Sequence, residues 1–121
     1  YRLGILSNID RDLIELSLPR LTAAGAKFDL IVTAGDTRSY KPAIGHFWAA
    51  MRESKLPGAR ILHAAQSLFH DVVPAQTMGM RTAYINRQGG RPGATPPPGQ
   101  DVEADMEFPT IKALATALLG E

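Results

Sequence analysis

Ile61-Leu62-His63-Ala64-Ala65 is a compact apolar run, and Thr82-Ala83-Tyr84-Ile85-Asn86 is a second one. Each has the length and composition of a strand. Between them residues 71–78 carry a helical pattern, and Gly79 stands where a helix stops. Strand, helix, strand in that order builds a parallel sheet, because the returning strand needs a crossover long enough to hold a helix. The same alternation extends in both directions. Upstream, residues 3–6 read as a short buried strand ended by the polar cluster Ser7-Asn8-Ile9-Asp10, and residues 28–33 as a β-branched one. The helix between these two carries Leu13, Leu16, Leu21 and Ala24 at helical spacing and closes on Gly25. Pro19 lies inside it and predicts a kink or a split into two short helices. Residues 34–40 read as a polar loop. Lys41-Pro42 then opens a helix with an apolar stripe of Ile44, Phe47, Trp48 and Met51, the last three assigned to the core. Downstream, residues 87–104 shift to Gly, Pro and Arg and predict a surface loop. Glu107-Phe108-Pro109 predicts a short edge strand. Residues 110–119 predict an amphipathic helix with Ile111, Leu114, Ala115 and Leu118 on one face.

The 121 residues suit one domain, residues 1–121, with a fair core. Thirteen basic against twelve acidic side chains leave a net charge of +1, too little basic surplus to neutralise a phosphate backbone, so a nucleic-acid partner is not expected. At 45% hydrophobic and 21% charged, the chain is too apolar for disorder. The absence of cysteine excludes a disulfide scaffold, a thiolate metal site and a cysteine nucleophile. No apolar run approaches the length of a bilayer and no leader pattern opens the chain, so the expectation is a soluble, cytoplasmic protein with no membrane partner. The sequence starts at Tyr1-Arg2 almost directly on a strand, which predicts a piece of a longer protein.

In parallel α/β sheets ligands gather at the carboxyl ends of the strands. Three polar clusters sit there: Ser7-Asn8, Lys41, and Gln66-Ser67 with Asp71. A hydroxyl and an amide can hold anionic oxygens, and a lysine supplies a positive charge for an anion or a nucleophile. A carboxylate can position that lysine, hold a hard cation or orient a water. Each has a plainer reading. Ser7, Asn8 and Asp10 precede a helix and suit N-caps, Asp71 suits the cap of the helix after it, and a lone lysine is ordinarily a solvated one. His46, His63 and His70 share no metal-ligand spacing. His63 reads as a strand residue, and the other two as surface or core polar groups.

The order of the clusters along the alternating pattern narrows these choices. Leu6-Ser7-Asn8, Tyr40-Lys41-Pro42, the run from His63 through Ala65-Gln66-Ser67-Leu68-Phe69-His70-Asp71 to Ala75, and the run Gly79-Met80-Arg81-Thr82-Ala83-Tyr84-Ile85-Asn86-Arg87 follow in turn. Together they resemble the second, third and fourth motifs of the haloacid dehalogenase (HAD) superfamily, in its 2-haloacid dehalogenase-like branch. The resemblance implies a Rossmann-like α/β fold, a parallel sheet with helices on both faces. It would be the C-terminal portion of a HAD-type core, without the nucleophile strand and cap. It implies a hydrolase working through a covalent ester to an aspartate. Ser7 and Asn8 would contact the anionic group of a small substrate, and Lys41 would balance the charge of the nucleophile. Asp71 would hold Lys41 or position the hydrolytic water, and Gln66 and Ser67 would line the site.

The family's nucleophilic aspartate is not found here, so the chain alone is expected to be inactive. An upstream segment or a second chain would be needed to complete the sheet. Where magnesium-dependent HAD phosphatases carry Gly-Asp, this chain reads Ala65-Gln66, a poorer site for a hard cation. No metal and no cofactor are therefore expected, with Mg²⁺ reserved for the alternative of a phosphatase acting on a small phosphorylated metabolite. Phe47 stands where the known dehalogenases usually carry a tyrosine, which leaves the substrate open. A third alternative is a non-catalytic Rossmann-like module that pairs with another chain.

Overall fold

Strand β1 (Gly4–Ser7) runs parallel to β2 (Leu30–Thr33), with Gly4 opposite Leu30 and Ser7 opposite Thr33. The ladder is extended by Asp29, whose amide donates to the Leu3 carbonyl at 2.7 Å and whose carboxylate accepts the Leu3 amide at 2.8 Å. Helix α1 (Arg11–Ala23) makes the crossover. A computed structural model describes residues 1–87 and 102–120, which fall into two compact units, Tyr1–Leu56 and Pro57–Glu121. Most of the expected loop at 87–104 lies outside the described residues.

In the first unit α1 remains one helix of 13 residues through Pro19, so the split into two short helices is not made. Its end is the expected one. Gly25 takes φ +95°, its amide reaches the Thr22 carbonyl at 3.0 Å and that of Ala26 reaches the Leu21 carbonyl at 3.0 Å, a left-handed turn that closes the last carbonyls. The buried face is not the predicted one. Ile14 is buried, while Leu13, Leu16 and Leu21 are 52%, 74% and 41% exposed. The helix carries two apolar rows, one through Ile14 and Leu18 and one through Leu13 and Leu16, and packing takes the first. The stretch read as a polar loop contains α2 (Ala34–Thr37), a single capped turn. Its start is fixed by Thr33 and Asp36, each side chain bonding the other's amide.

Helix α3 (Gly45–Ser54) starts after Lys41-Pro42 rather than on it. Phe47 is fully buried as expected, in company with His46, Ala49 and Ala50. Ile44 and Trp48 are more than half exposed, which corrects the assignment of Trp48 to the core. The alanines let α3 pack on β1 and β2, and that close approach rotates Trp48 outward.

In the second unit β3 (Leu62–Ala65), β4 (Arg81–Ile85) and β5 (Met106–Phe108) form a parallel sheet in that order. The edge position predicted for β5 is the one observed. The connection from β3 to β4 begins as a wide turn, Leu68–Val72, with the Val72 amide reaching back to the Ser67 carbonyl. It continues as α4 (Val73–Thr77) and stops at Gly79, where φ is +79°. Ser67, not Asp71, caps this segment, its hydroxyl accepting the His70 amide at 3.1 Å. Helix α5 (Ile111–Leu119) is capped by Thr110 and buries Leu114 against Ala83 and Ile85, with Leu62, Ala64, Met106 and Phe108 packed around them. Ile111 and Leu118 of the predicted face stay 48% and 37% exposed. No helix among the described residues is long and apolar enough to cross a membrane.

Candidate functional site

The carboxyl end of β1 is tied to the segment that leads into α3. The Asn8 side chain acts on the backbone of Lys41 from both ends: its Oδ1 accepts the Lys41 amide at 2.6 Å and its Nδ2 donates to the Lys41 carbonyl at 3.2 Å. Lys41 answers with its ammonium, Nζ donating to the Leu6 carbonyl at 3.1 Å. The Ser7 hydroxyl accepts the Ile9 amide at 3.1 Å and turns the chain toward α1. From α3 the buried His46 places Nε2 2.7 Å from the Ser7 carbonyl. Asn8 and Lys41 are thus brought together by direct bonds, with Ser7 the chain neighbour of Asn8, although residue 41 lies 33 positions beyond Asn8. A hydroxyl, an amide and an ammonium fixed on one strand end make a surface suited to an anion.

The end of β2 is built differently. Asp36 accepts the Thr33 amide and hydroxyl, each at 2.9 Å, and pairs with the Arg11 guanidinium. Burial pushes this carboxyl up, but the Thr33 donors and Arg11 outweigh it and hold Asp36 below the usual carboxylate range. Its work is the cap of α2.

In the second unit Gln66 is exposed directly after β3. Ser67 Oγ lies 3.0 Å from His70 Nδ1, in addition to accepting the His70 amide. Asp71 is buried, with Oδ1 2.8 Å from Nε2 of the buried His63. An imidazole N–H directed at a buried carboxylate fixes the orientation of the carboxylate. Farther along, Asp105 accepts the Thr82 amide at 2.8 Å and its hydroxyl at 3.1 Å. The Thr82 amide is the main cause holding the Asp105 carboxyl below its ordinary value.

Two histidines to which the sequence reading assigns no site role are therefore built into these strand ends: His46 behind Ser7, and His63 behind Asp71. Neither shows a local signal. His63 lies eight residues before Asp71 and His46 lies 39 after Ser7, so only the fold introduces them. Among the described residues no three of His, Cys, Asp and Glu gather as a metal site. The residue directly after β3 is the neutral amide of Gln66, a weaker ligand for a hard cation than a carboxylate.

No family model matches the chain. Over 85 residues, 70% of the chain, it is 32% identical to haloacid dehalogenase-like hydrolase domain-containing protein 3 of Xenopus laevis. It superposes over 100% of its length on a HAD phosphatase from Thermococcus onnurineus, with a TM-score of 0.77 and 29% identity. It superposes over 99% on a 2-haloacid dehalogenase from Pseudomonas syringae pv. Tomato DC3000, with a TM-score of 0.76 and 25% identity. The chain spans 34% of the Xenopus protein and 52% and 47% of the two solved chains.

Proposed function

Because this chain belongs to the haloacid dehalogenase superfamily, we propose that it forms part of a hydrolase of the 2-haloacid dehalogenase type. The observation that favours this branch is Gln66, an exposed neutral amide directly after β3 where a metal-dependent phosphatase would carry a carboxylate. The nucleophile is an aspartate supplied from outside these residues. Its carboxylate attacks the halogen-bearing carbon, halide leaves with the electron pair, and an ester forms. Water then adds to the ester carbonyl, releasing the 2-hydroxy acid and regenerating the carboxylate. Ser7 and Asn8 hold the substrate carboxylate. Lys41 offsets the negative charge of the nucleophile, with its ammonium anchored on the Leu6 carbonyl. Asp71, oriented by His63, accepts a proton of the hydrolytic water. Gln66 and Ser67 line the site.

The similarity to a HAD phosphatase supports a second reading, hydrolysis of a small phosphorylated metabolite. Both readings need β1 and β3 to be completed by further chain. Among the described residues β2 is the only sheet neighbour of β1, and β4 the only one of β3. Lys41→Ala in the full-length parent tests the first reading. Halide release from 2-chloropropionate should fall about a hundredfold or more in kcat/KM. Turnover close to wild type would remove Lys41 from the mechanism.

A further inference from the structure

His46 is fully buried on α3 beside Phe47, Ala49 and Ala50. An imidazole in such surroundings is costly unless its nitrogens are bonded, and a leucine would fill the same space without that demand. What the imidazole supplies and a leucine lacks is a donor. Nε2 lies 2.7 Å from the Ser7 carbonyl, and a carbonyl only accepts, so the hydrogen sits on Nε2. Nδ1 faces the Thr37 hydroxyl at 3.5 Å. The Ser7 carbonyl belongs to the peptide that joins the two residues holding the anion in the reading above. In a trans peptide the following N–H points opposite to the C=O, so fixing the Ser7 oxygen also fixes the direction of the Asn8 amide. The preceding carbonyl, that of Leu6, is held by Lys41 Nζ. Two consecutive peptide planes at the end of β1 are therefore clamped by side chains, one from the segment before α3 and one from α3 itself.

We propose that His46 is a positioning residue: its Nε2–H holds the Ser7 carbonyl so that the Ser7-Asn8 corner keeps one orientation toward a bound anion. The proposal rests on the assignment of Ser7 and Asn8 as the anion-holding pair. Two variants of the full-length parent separate positioning from packing. His46→Leu keeps the volume and removes the donor. His46→Gln keeps an N–H near the position of Nε2. With 2-chloropropionate as the probe, His46→Leu should raise KM about tenfold with kcat changed much less, and His46→Gln should return KM to within about threefold of wild type. A purely packing role predicts the reverse pattern, thermal midpoints that drop in both variants with KM unmoved. A wild-type KM in His46→Leu, or a His46→Gln no better than His46→Leu, overturns the proposal. If His46→Leu does not fold, His46→Gln decides it alone: KM near wild type supports it and a tenfold rise overturns it. A parent that releases no halide would defeat the dehalogenase reading but not this one. There a histidine Nε2–H resonance protected from solvent exchange, with a cross-peak to the Ser7–Asn8 backbone, supports the clamp, and its absence overturns it.

Discussion

Asp36 shows how much of the polar design near the strand ends is scaffolding. Its carboxylate collects the Thr33 amide, the Thr33 hydroxyl and the Arg11 guanidinium, and those donors depress its pKa against the opposing effect of burial. A folded pKa below the unfolded one means that the unfolded chain binds more protons. The contribution of Asp36 to stability is therefore complete above about pH 4 and is lost as the pH falls through the folded value. Urea unfolding of the wild type should show stability declining below about pH 4, and Asp36→Asn should flatten that decline. An unchanged pH slope in Asp36→Asn would assign the acid sensitivity elsewhere, with Asp105 and its Thr82 donors the next group to test. Asn8 illustrates the same economy nearer the site. Its side chain bonds the backbone of Lys41 at both ends, so it places the lysine.

Helix ends are the elements that local sequence controls most firmly. Gly25 and Gly79 both stand at left-handed turns where the first residue past the helix bonds back to a carbonyl inside it. Nothing lies within 4 Å of a Cβ built at Gly25, so Gly25→Ala carries only the backbone cost of φ +95°. Thermal unfolding should show a loss of about 1 kcal/mol. A neutral substitution would mean that α1 ends without this turn. Helix faces are less firmly controlled. In α1 the Leu13–Leu16 row matches the helical period as well as the Ile14–Leu18 row, and burial falls on the second. In α3 the choice falls on the face with Ala49 and Ala50, which admits close packing and leaves Trp48 55% exposed.

Across the chain as a unit of function, the dehalogenase reading proposed above and the neutral Gln66 after β3 carry a prediction for the parent protein. Under that reading halide release should survive EDTA, whereas a phosphatase of the same superfamily would lose activity, and sensitivity to EDTA would move the assignment to that second reading. The alternation of strands and helices, the parallel pairing it demands, the stops at Gly25 and Gly79 and the placing of Ser7 and Asn8 at a strand end were all legible from the 121 residues. They depend on hydrophobic period and turn chemistry, which are properties of neighbouring residues. A shared place for Asn8 and Lys41 is expected only from their order along a pattern of motifs, and the bonds from the Asn8 side chain to the Lys41 backbone are not expected at all. Packing alone decided that Ile14 rather than Leu16 faces inward, and that His46 and His63 stand behind Ser7 and Asp71. Those outcomes join residues 8 to 39 positions apart or select between faces of nearly equal polarity, and short-range pattern carries no term that distinguishes them.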